Sequence, residues 1–275
     1  MDPIEILNYG FVQRALLAGV LIAAISSLLG VFLVLRRLSL IGDGIAHVTF
    51  GSVAVVLLIG ISPLYVTLAA LPIVMVSSLA ILKLMNTRRI QGDAAIGIVS
   101  SVGIAAGIIL TSISGGYNVD LLSYLFGNIL TVTQTELILS LVVFLIVVAI
   151  VVFFYNELFA VTFDEELARS TGINTKQINI ILFILTAVVA VLAMKVAGIM
   201  LVSAMLIMPP LTALQLSVSF RMTIIASVVF SVLSVINGII VSFLLNLPPG
   251  GTIVIINAIF LLAVFGFKKI LALQR

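Results

Sequence analysis

The 275-residue sequence contains no cysteine, a single histidine and very few charged residues. Without cysteine, disulfides and thiolate metal sites are excluded. Charged residues make up only 8% of the chain and hydrophobic residues 63%, whereas soluble domains carry roughly 25% charged residues. A chain so poor in charge cannot cover a water-facing surface, so the composition predicts an integral membrane protein.

Three further absences narrow the function. The phosphate-loop motif GxxxxGK[ST] does not occur, so the chain does not hydrolyse nucleotides in the P-loop manner. Basic runs and exposed aromatic platforms are missing, so the net charge of +3 does not indicate a nucleic-acid partner. The N-terminal residues, MDPIEILNYG, are acidic and polar, which is the wrong flank for a cleavable signal peptide.

Long continuous apolar runs predict an all-α polytopic membrane helical bundle of eight or nine transmembrane helices. A span needs about 20 mainly apolar residues, and the short alternating segments of a β-barrel do not occur. The predicted spans are residues 11–35, 44–59, 64–84, 94–113, 137–155, 178–194, 196–216, 222–245 and 252–267. The joint at 36–42 and the joint around Lys195 leave the count open between eight and nine. Residues 1–275 form a single transmembrane domain.

Charge then orients the bundle. If two crossings separate successive basic clusters, most of the 13 basic residues fall on one side. These residues are Arg36, Arg37, Lys83, Arg88, Arg89, Arg169, Lys176, Arg221, Lys268, Lys269 and Arg275. Cytoplasmic loops are enriched in lysine and arginine, so this side is predicted to be the cytoplasm. The N-terminus then lies outside and the C-terminus inside.

Asp43 and His47 stand four residues apart, so they share one face of a helix. A charged side chain in a membrane needs a partner or a water-lined path. Carboxylate oxygen and imidazole nitrogen suit zinc or manganese, and two residues leave the rest of the shell to other ligands. The alternative is that Asp43 caps the second span and His47 packs in the core. Asp43 is predicted just inside the cytoplasmic boundary, which suits the exit half of a pathway.

The polar segment of about residues 157–177 contains a short amphipathic helix, TFDEELARSTG, in a cytoplasmic loop. Thr162 and Glu165 have the spacing of a capping box, and Gly172 is a natural C-terminal stop. Docking of a partner subunit is one interpretation, and an interfacial helix on lipid headgroups is the other. The residues assigned to coupling are Asp164, Glu165, Glu166, Leu167, Arg169 and Gly172.

Two further segments are candidates for gates or helix breaks. The half-length apolar piece at 120–131 is too short to span, so it is either an extracellular interfacial helix or a re-entrant element broken at Gly127 and Asn128. Pro209 and Pro210 interrupt the hydrogen-bond ladder of the seventh span. They predict either a plain kink or a broken helix that lines a cavity.

With these segments in place, the chain resembles the permease subunit of bacterial zinc/manganese ABC importers. The resemblance covers nearly the whole length and rests on four motifs: LRRLSLIGDGIAH at 35–47, VDLLSYLFGNILTV at 119–132, GIMLVSAMLIMPPLTA at 198–213 and PPGGTIVI at 248–255. The family usually has a small residue where Pro210 stands, which affects the expected local kink.

The resemblance implies a fold of the vitamin B12-importer type and a homodimer in the plasma membrane of a bacterium. It also implies two ATP-binding cassette subunits on the cytoplasmic loop helix and an extracellular metal-binding lipoprotein. The matching aspartate and histidine are proposed metal contacts in that family, which assigns the same role to Asp43 and His47. No cofactor is expected to stay bound, since Zn²⁺ or Mn²⁺ is cargo.

The leading hypothesis is therefore a non-enzymatic translocation subunit of an ATP-driven metal importer, with zinc placed before manganese. The alternative is a stand-alone secondary transporter that uses Asp43 and His47 as a proton relay. An intramembrane serine hydrolase is disfavoured, because Ser52 and His47 on one helix do not form a triad geometry.

Overall fold

The computed structural model describes residues 10–61, 65–87, 90–113, 132–216 and 219–273. These residues form α-helices and no strand. The helices are α1 (Gly10–Leu35), α2 (Ile41–Leu58), α3 (Val66–Met85), α4 (Gly92–Ile113), α5 (Gln134–Phe153), α6 (Tyr155–Phe163), α7 (Glu165–Ser170), α8 (Thr175–Ala197), α9 (Ile199–Leu216), α10 (Phe220–Leu245) and α11 (Pro249–Leu273). The all-α fold predicted from the continuous apolar runs is confirmed.

Helices α1, α2 and α8 form the centre of the bundle, where most of their residues are buried. α1 packs against α5, α8, α9 and α10, while α2 packs against α3, α4, α8 and α9. Fully buried side chains such as Phe32 of α1 and Phe183 of α8 fill this centre. Helices α4, α5 and α11 lie at the periphery, with few buried residues in their apolar stretches.

Contacts between helices fix their directions. The hydroxyl of Ser231 in α10 donates to the carbonyl oxygen of Ala23 in α1 at 3.0 Å. Phe220, at the start of α10, packs on Phe32 near the end of α1, with ring centroids 5.4 Å apart. The two helices are therefore antiparallel. The end of the bundle at which α1 finishes is called the Arg36 end, and it is the predicted cytoplasmic end.

Within the described ranges, eight helices are long and apolar enough to cross a membrane, and residues Leu201–Leu216 of α9 form a shorter apolar stretch. The eight are α1 to α5, α8, α10 and α11. The prediction of eight or nine transmembrane helices is confirmed. The number is eight without α9 and nine if α9 is included.

Glycines bring α2 and α4 into backbone contact. A methyl group on Gly51 of α2 would overlap the carbonyl oxygen of Gly103 in α4. A methyl group on Gly103 would lie 2.8 Å from the Cα of Val48. Gly44 meets Ile96 nearer the start of both helices, so α2 and α4 run parallel. Small residues permit such close approach between membrane helices, where van der Waals packing drives association.

The boundary between α8 and α9 lies at Gly198, which has φ +83°. The sequence prediction placed this boundary near Lys195, and that position is inside α8. Glycine adopts a positive φ without the steric penalty that other residues incur, so the chain turns there. The predicted re-entrant element with Gly127 and Asn128 lies outside the described residues.

Of the two alternatives predicted for Pro209 and Pro210, the broken helix is wrong, because α9 continues through both prolines. Neither proline supplies an N–H to the carbonyl one turn earlier, and for Pro210 that carbonyl belongs to Leu206. Gly30 of α1 lies against this same carbonyl, where any larger residue would overlap it. Tight packing against α1 thus holds the proline-containing segment in a helical course.

Candidate functional site

Asp43 lies in the first turn of α2 and does not cap it. The N-cap residue is Leu40, and no side chain caps this helix. The alternative that Asp43 serves only as a helix cap is therefore wrong. A carboxylate in the first turn is still favoured by the positive end of the helix dipole. That interaction stabilises the negative charge without using the carboxylate oxygens as cap acceptors.

The structure brings Asp43 and His47 together and adds a third polar group. The Nε2 of His47 lies 3.4 Å from Oδ2 of Asp43. The hydroxyl of Ser203, in α9, donates to Oδ1 of the same carboxylate at 3.3 Å. The sequence reasoning did not identify Ser203, because a residue so far along the chain gives no local spacing signal. The three side chains join the start of α2 to the start of α9.

The spacing of the two ligand atoms fits a shared metal ion. Two ligands that each lie about 2.0–2.1 Å from a tetrahedral zinc are about 3.3–3.4 Å apart. The Nε2 and Oδ2 atoms have this separation without any rearrangement. Within the described part of the chain, no group of three or more His, Cys, Asp or Glu side chains surrounds a common point. The described residues of one chain therefore offer two strong ligands and a neighbouring hydroxyl, which together are fewer than a metal shell needs.

The pair lies deeper in the bundle than the sequence predicted. A methyl group on Gly42, next to Asp43, would collide with Leu206, which also contacts Gly30 of α1. Gly30 precedes the end of α1 by about five residues, or roughly 7–8 Å along the helix. Helix α9 ends at Leu216, close to Phe220 at the Arg36 end, and Ser203 precedes Leu216 by about 13 residues, or roughly 20 Å along the helix. The start of α2 thus lies inside the bundle, at the level of Gly30 and about one and a half turns before the end of α1.

Asp43 and His47 face an open side of α2, although most of that helix is buried. The side chain of Asp43 is 52% exposed and that of His47 is 28% exposed. Their neighbours Gly42, Gly44 and Ile45 are buried. A carboxylate exposed at this depth requires water or a covering partner, because lipid contact would leave the charge unsolvated. The site therefore opens to a place where a solvated ion or a second chain can reach it.

The predicted coupling segment forms two helices, α6 and α7, joined at Asp164. The carboxylate of Asp164 accepts a hydrogen bond from the N–H of Leu167 at 2.9 Å and caps α7. The predicted capping box of Thr162 with Glu165 is wrong, because the Thr162 hydroxyl bonds to the carbonyl of Leu158 inside α6. An aspartate is an equally good cap, and Asp164 stands two residues further along the chain, directly before the first residue of α7.

The predicted C-terminal stop at Gly172 is confirmed. Gly172 has φ +90°, and its N–H donates to the carbonyl of Arg169 at 3.2 Å. The next N–H, from Ile173, donates to the carbonyl of Ala168 at 3.1 Å. This pair of bonds is the Schellman arrangement that ends helices at a glycine. Helix α7 is therefore closed at both ends by local hydrogen bonds.

Glu165 connects α7 to the centre of the bundle. Its carboxylate lies 3.2 Å from the guanidinium of Arg36 and accepts a hydrogen bond from the Asn179 amide at 3.1 Å. Burial lowers the pKa of Arg36, and the charge of Glu165 acts in the opposite direction. Arginine stays protonated in proteins, so the pair is charged. The carboxylate links α7 to the end of α1 and the start of α8.

The opposite face of this segment is exposed and apolar. Phe163 is 59% exposed and Leu167 is 61% exposed. Behind them, Phe220 of α10 lies at the centre of an aromatic cluster with Phe159 of α6 at 5.0 Å and Phe32 of α1 at 5.4 Å between ring centroids. The segment therefore presents an apolar surface outward and contacts α1 and α10 inward.

One known protein family and several known membrane proteins are similar to this chain in sequence. The model of the ABC 3 transport family matches residues 8–268. The manganese transport system membrane protein of Halalkalibacterium halodurans is 36% identical, over 96% of this chain and 90% of that protein. The high-affinity zinc uptake system membrane protein of Haemophilus influenzae is 31% identical, over 93% of this chain and 97% of that protein.

Solved structures agree in fold. A chain of PsaBC from Streptococcus pneumoniae, solved in complex with a Fab, superposes with a TM-score of 0.87 at 30% identity, covering 99% of both chains. A metal-chelate type ABC transporter in an inward-facing conformation superposes with a TM-score of 0.72 at 18% identity, covering 94% of this chain and 85% of that one. The second likeness concerns the fold alone.

Proposed function

Because the chain belongs to the ABC 3 transport family, we propose that it is the translocation subunit through which an ATP-driven importer moves a divalent transition metal. It is a multi-pass permease of a bacterial plasma membrane, and its relatives transport manganese or zinc. The observation that carries the proposal is the Asp43–His47 pair, with facing atoms 3.4 Å apart inside a membrane bundle.

The pair acts as a transit site for the metal. A carboxylate and an imidazole at this spacing replace part of the hydration shell of the ion, and Ser203 holds the carboxylate by donating to Oδ1. An incomplete shell suits transport, because an ion held as tightly as in a closed structural site would not leave. Water, backbone oxygen or a second chain supplies the remaining ligands.

The metal is either zinc or manganese. Carboxylate and imidazole accept both ions, and the names of the relatives include both metals. The order of zinc before manganese expected from the sequence has no separate support. Competition between zinc and manganese during uptake measures directly which ion the permease prefers.

A separate ATPase supplies the energy, because this sequence has no P-loop motif. The exposed side chains of Phe163 and Leu167 provide an apolar surface on which such a subunit docks. Movement of α7 passes to α1 through the Glu165–Arg36 ion pair. Movement of α6 passes to α10 through the rings packed on Phe220. Both routes lead to helices that pack against α9, which carries Ser203.

A second copy of the chain and an extracellular metal-binding lipoprotein complete the proposed assembly. Asp43 is half-exposed, although its neighbour Gly42 packs on Leu206 inside the bundle. A homodimer with the translocation path between its two chains covers that carboxylate and provides further ligands. The lipoprotein delivers the ion at the end opposite Arg36.

The test is ATP-driven uptake of radioactive zinc and manganese into proteoliposomes that contain the permease and its copurified ATPase. We expect Asp43→Ala or His47→Ala to abolish uptake of the metal while the complex still assembles. Asp93→Ala is the matched control, since Asp93 is an exposed acidic residue in the first turn of α4. Retained uptake by the Asp43→Ala/His47→Ala double variant would remove the pair from the mechanism.

The same preparation separates the importer from the proton-coupled alternative. An ATPase that copurifies with the permease and is required for uptake supports the importer. Uptake by the permease alone, driven by a pH gradient, would instead identify a secondary transporter.

A further inference from the structure

An open cleft of about 640 Å³ lies between α3, α7 and α8 at the Arg36 end, away from the metal pair. Three cationic side chains line it: Lys83 in the last turn of α3, Arg169 of α7 and Lys176 in the first turn of α8. They come from three separate helices that the fold brings together. The cleft is therefore a product of tertiary structure and not of a local basic run.

The cleft carries an excess of positive charge. Neither Lys83 nor Lys176 has an ion-pair partner among the described residues, and both are exposed. Glu165 is the one carboxylate among the described residues that line the cleft. That carboxylate is already shared between Arg36 at 3.2 Å and Arg169 at 3.5 Å. Two ammonium groups thus have no counterion among the residues that the structure describes.

The walls of the cleft are apolar on the side of α3 and α8. Leu79 and Leu82 form this wall on α3, and Ile180, which is 39% exposed, forms it on α8. The cations stand where the apolar helices finish or begin. An amphiphile with a charged head and an apolar body matches this order of groups, since its acyl chain continues along the wall.

We propose that this cleft binds the phosphate of an anionic phospholipid headgroup. Lysine and arginine side chains form charge-assisted hydrogen bonds with phosphate oxygens. Basic pockets between helices on the cytoplasmic side of a membrane protein have the electrostatic properties for such lipids. The apolar wall favours a lipid over a soluble phosphate ester, which would leave that wall uncovered.

A bound phosphate joins α7 to α3 and α8, because its ligands come from all three helices. Glu165 and Arg169 are four residues apart on one face of α7, while Leu167 lies about half a turn away from each of them. The lipid site therefore leaves the exposed Leu167 face uncovered. Lipid binding in itself does not require the proposed transport function.

The test measures lipid binding to the purified permease in complex with its copurified ATPase, by native mass spectrometry. The probes are dioleoyl phosphatidylglycerol, dioleoyl phosphatidylcholine and glycerol phosphate. We expect the wild-type chain to retain phosphatidylglycerol and to bind the other two at least tenfold more weakly. Removal of two lysines in Lys83→Gln/Lys176→Gln should weaken phosphatidylglycerol binding roughly 30-fold, from the usual contribution of a lysine near an anionic membrane.

Two further variants complete the design. Lys268→Gln/Lys269→Gln removes two exposed cations that do not line the cleft, so phosphatidylglycerol binding should change less than twofold. Lys83→Arg/Lys176→Arg keeps both charges and should retain binding, which excludes misfolding as the cause of the loss. Equal losses in the two glutamine variants, or equal binding of phosphatidylcholine, would overturn the site. Binding of glycerol phosphate as tight as that of the lipid would assign the cleft to a soluble ligand instead.

Discussion

Helices α2 and α5 reverse the usual relation between burial and hydropathy. In α2, 78% of the residues are buried and the mean hydropathy is 1.7, whereas in the most apolar 18 residues of α5 only 17% are buried and the mean hydropathy is 3.2. In water the more apolar helix would be inside. In lipid the surroundings are as apolar as leucine, so burial gives no hydrophobic gain between helices. The centre of this bundle therefore contains small and polar residues, such as Gly51 and Ser52 of α2, beside large apolar ones such as Phe32.

Glycine packing between α2 and α4 should give the largest effect on stability. Gly103→Val places a branched side chain against Val48, where even a methyl group is too close. Overpacking of this kind costs up to about 3 kcal/mol. Gly97→Val is the matched control on the same helix, because nothing lies within 4 Å of its Cβ position. Thermal unfolding of both variants in detergent checks this prediction. Similar losses for the two would mean that the packing of α2 on α4 does not hold the centre together.

Loss of the Glu165–Arg36 ion pair, which connects α7 to the end of α1, should have the second-largest effect on stability. Glu165→Gln leaves the largely buried Arg36 without its carboxylate, and hydrogen bonds to charged groups contribute about 1.5–3 kcal/mol. Because the Glu165 side chain is 36% exposed, we expect a loss nearer about 1 kcal/mol, since solvent screens part of the pair. Glu166→Gln, on the exposed side of the same helix, should change the free energy of unfolding little. The midpoint of unfolding measures both, and no difference between them would show that the ion pair contributes nothing.

Ser203 should have a smaller effect, seen in transport and not in stability. Ser203→Ala removes the hydrogen bond to Oδ1 of Asp43, and a loss of about 0.6 kcal/mol corresponds to roughly threefold weaker binding of the metal. Ser77→Ala is the control, because that hydroxyl bonds to the carbonyl of Ile73 in its own helix. The KM for metal in the proteoliposome assay is the readout. An unchanged KM in Ser203→Ala would reduce Ser203 to a packing residue.

The outer face of α5 should tolerate substitution best. Leu145 is 58% exposed, so Leu145→Ala should change the free energy of unfolding by no more than about 0.5 kcal/mol. Val147→Ala, at a position that is 1% exposed on the same helix, should cost more because it leaves a cavity. The free energies of thermal unfolding of the two variants compare the exposed face of α5 with its buried face. A loss above about 1 kcal/mol at Leu145 would mean that a second chain, and not lipid, covers this face.

Local patterns predicted much of this molecule. Length and composition predicted the spans, because a membrane helix needs a set number of apolar residues. The i, i+4 spacing brought Asp43 and His47 together, since four residues make about one turn. Gly172 was identified as a helix stop from the preference of glycine for positive φ. Each of these signals lies within a few neighbouring residues.

Features that depend on distant parts of the chain were missed. Ser203 meets Asp43 only after two helices pack, and the depth of α2 depends on Leu206 filling the space beside Gly30. The prolines at 209 and 210 suggested a break from their own chemistry, but contact with α1 maintains the helix. Hydropathy gave no information on which spans are central, because lipid and protein interior are equally apolar.

The two prolines of α9 also have a mechanical consequence. A helix that lacks two successive backbone donors is less stiff there than elsewhere, since bending stretches fewer internal bonds. The portion after the prolines is attached to α11 by the hydrogen bond from Lys268 to Gln215 at 3.2 Å. The portion before the prolines begins at the turn formed by Gly198 and contains Ser203. The buried segment of α9 between Gly198 and the prolines is therefore bounded by a turn at one end and by missing backbone donors at the other, and its Ser203 hydroxyl donates to the carboxylate of Asp43.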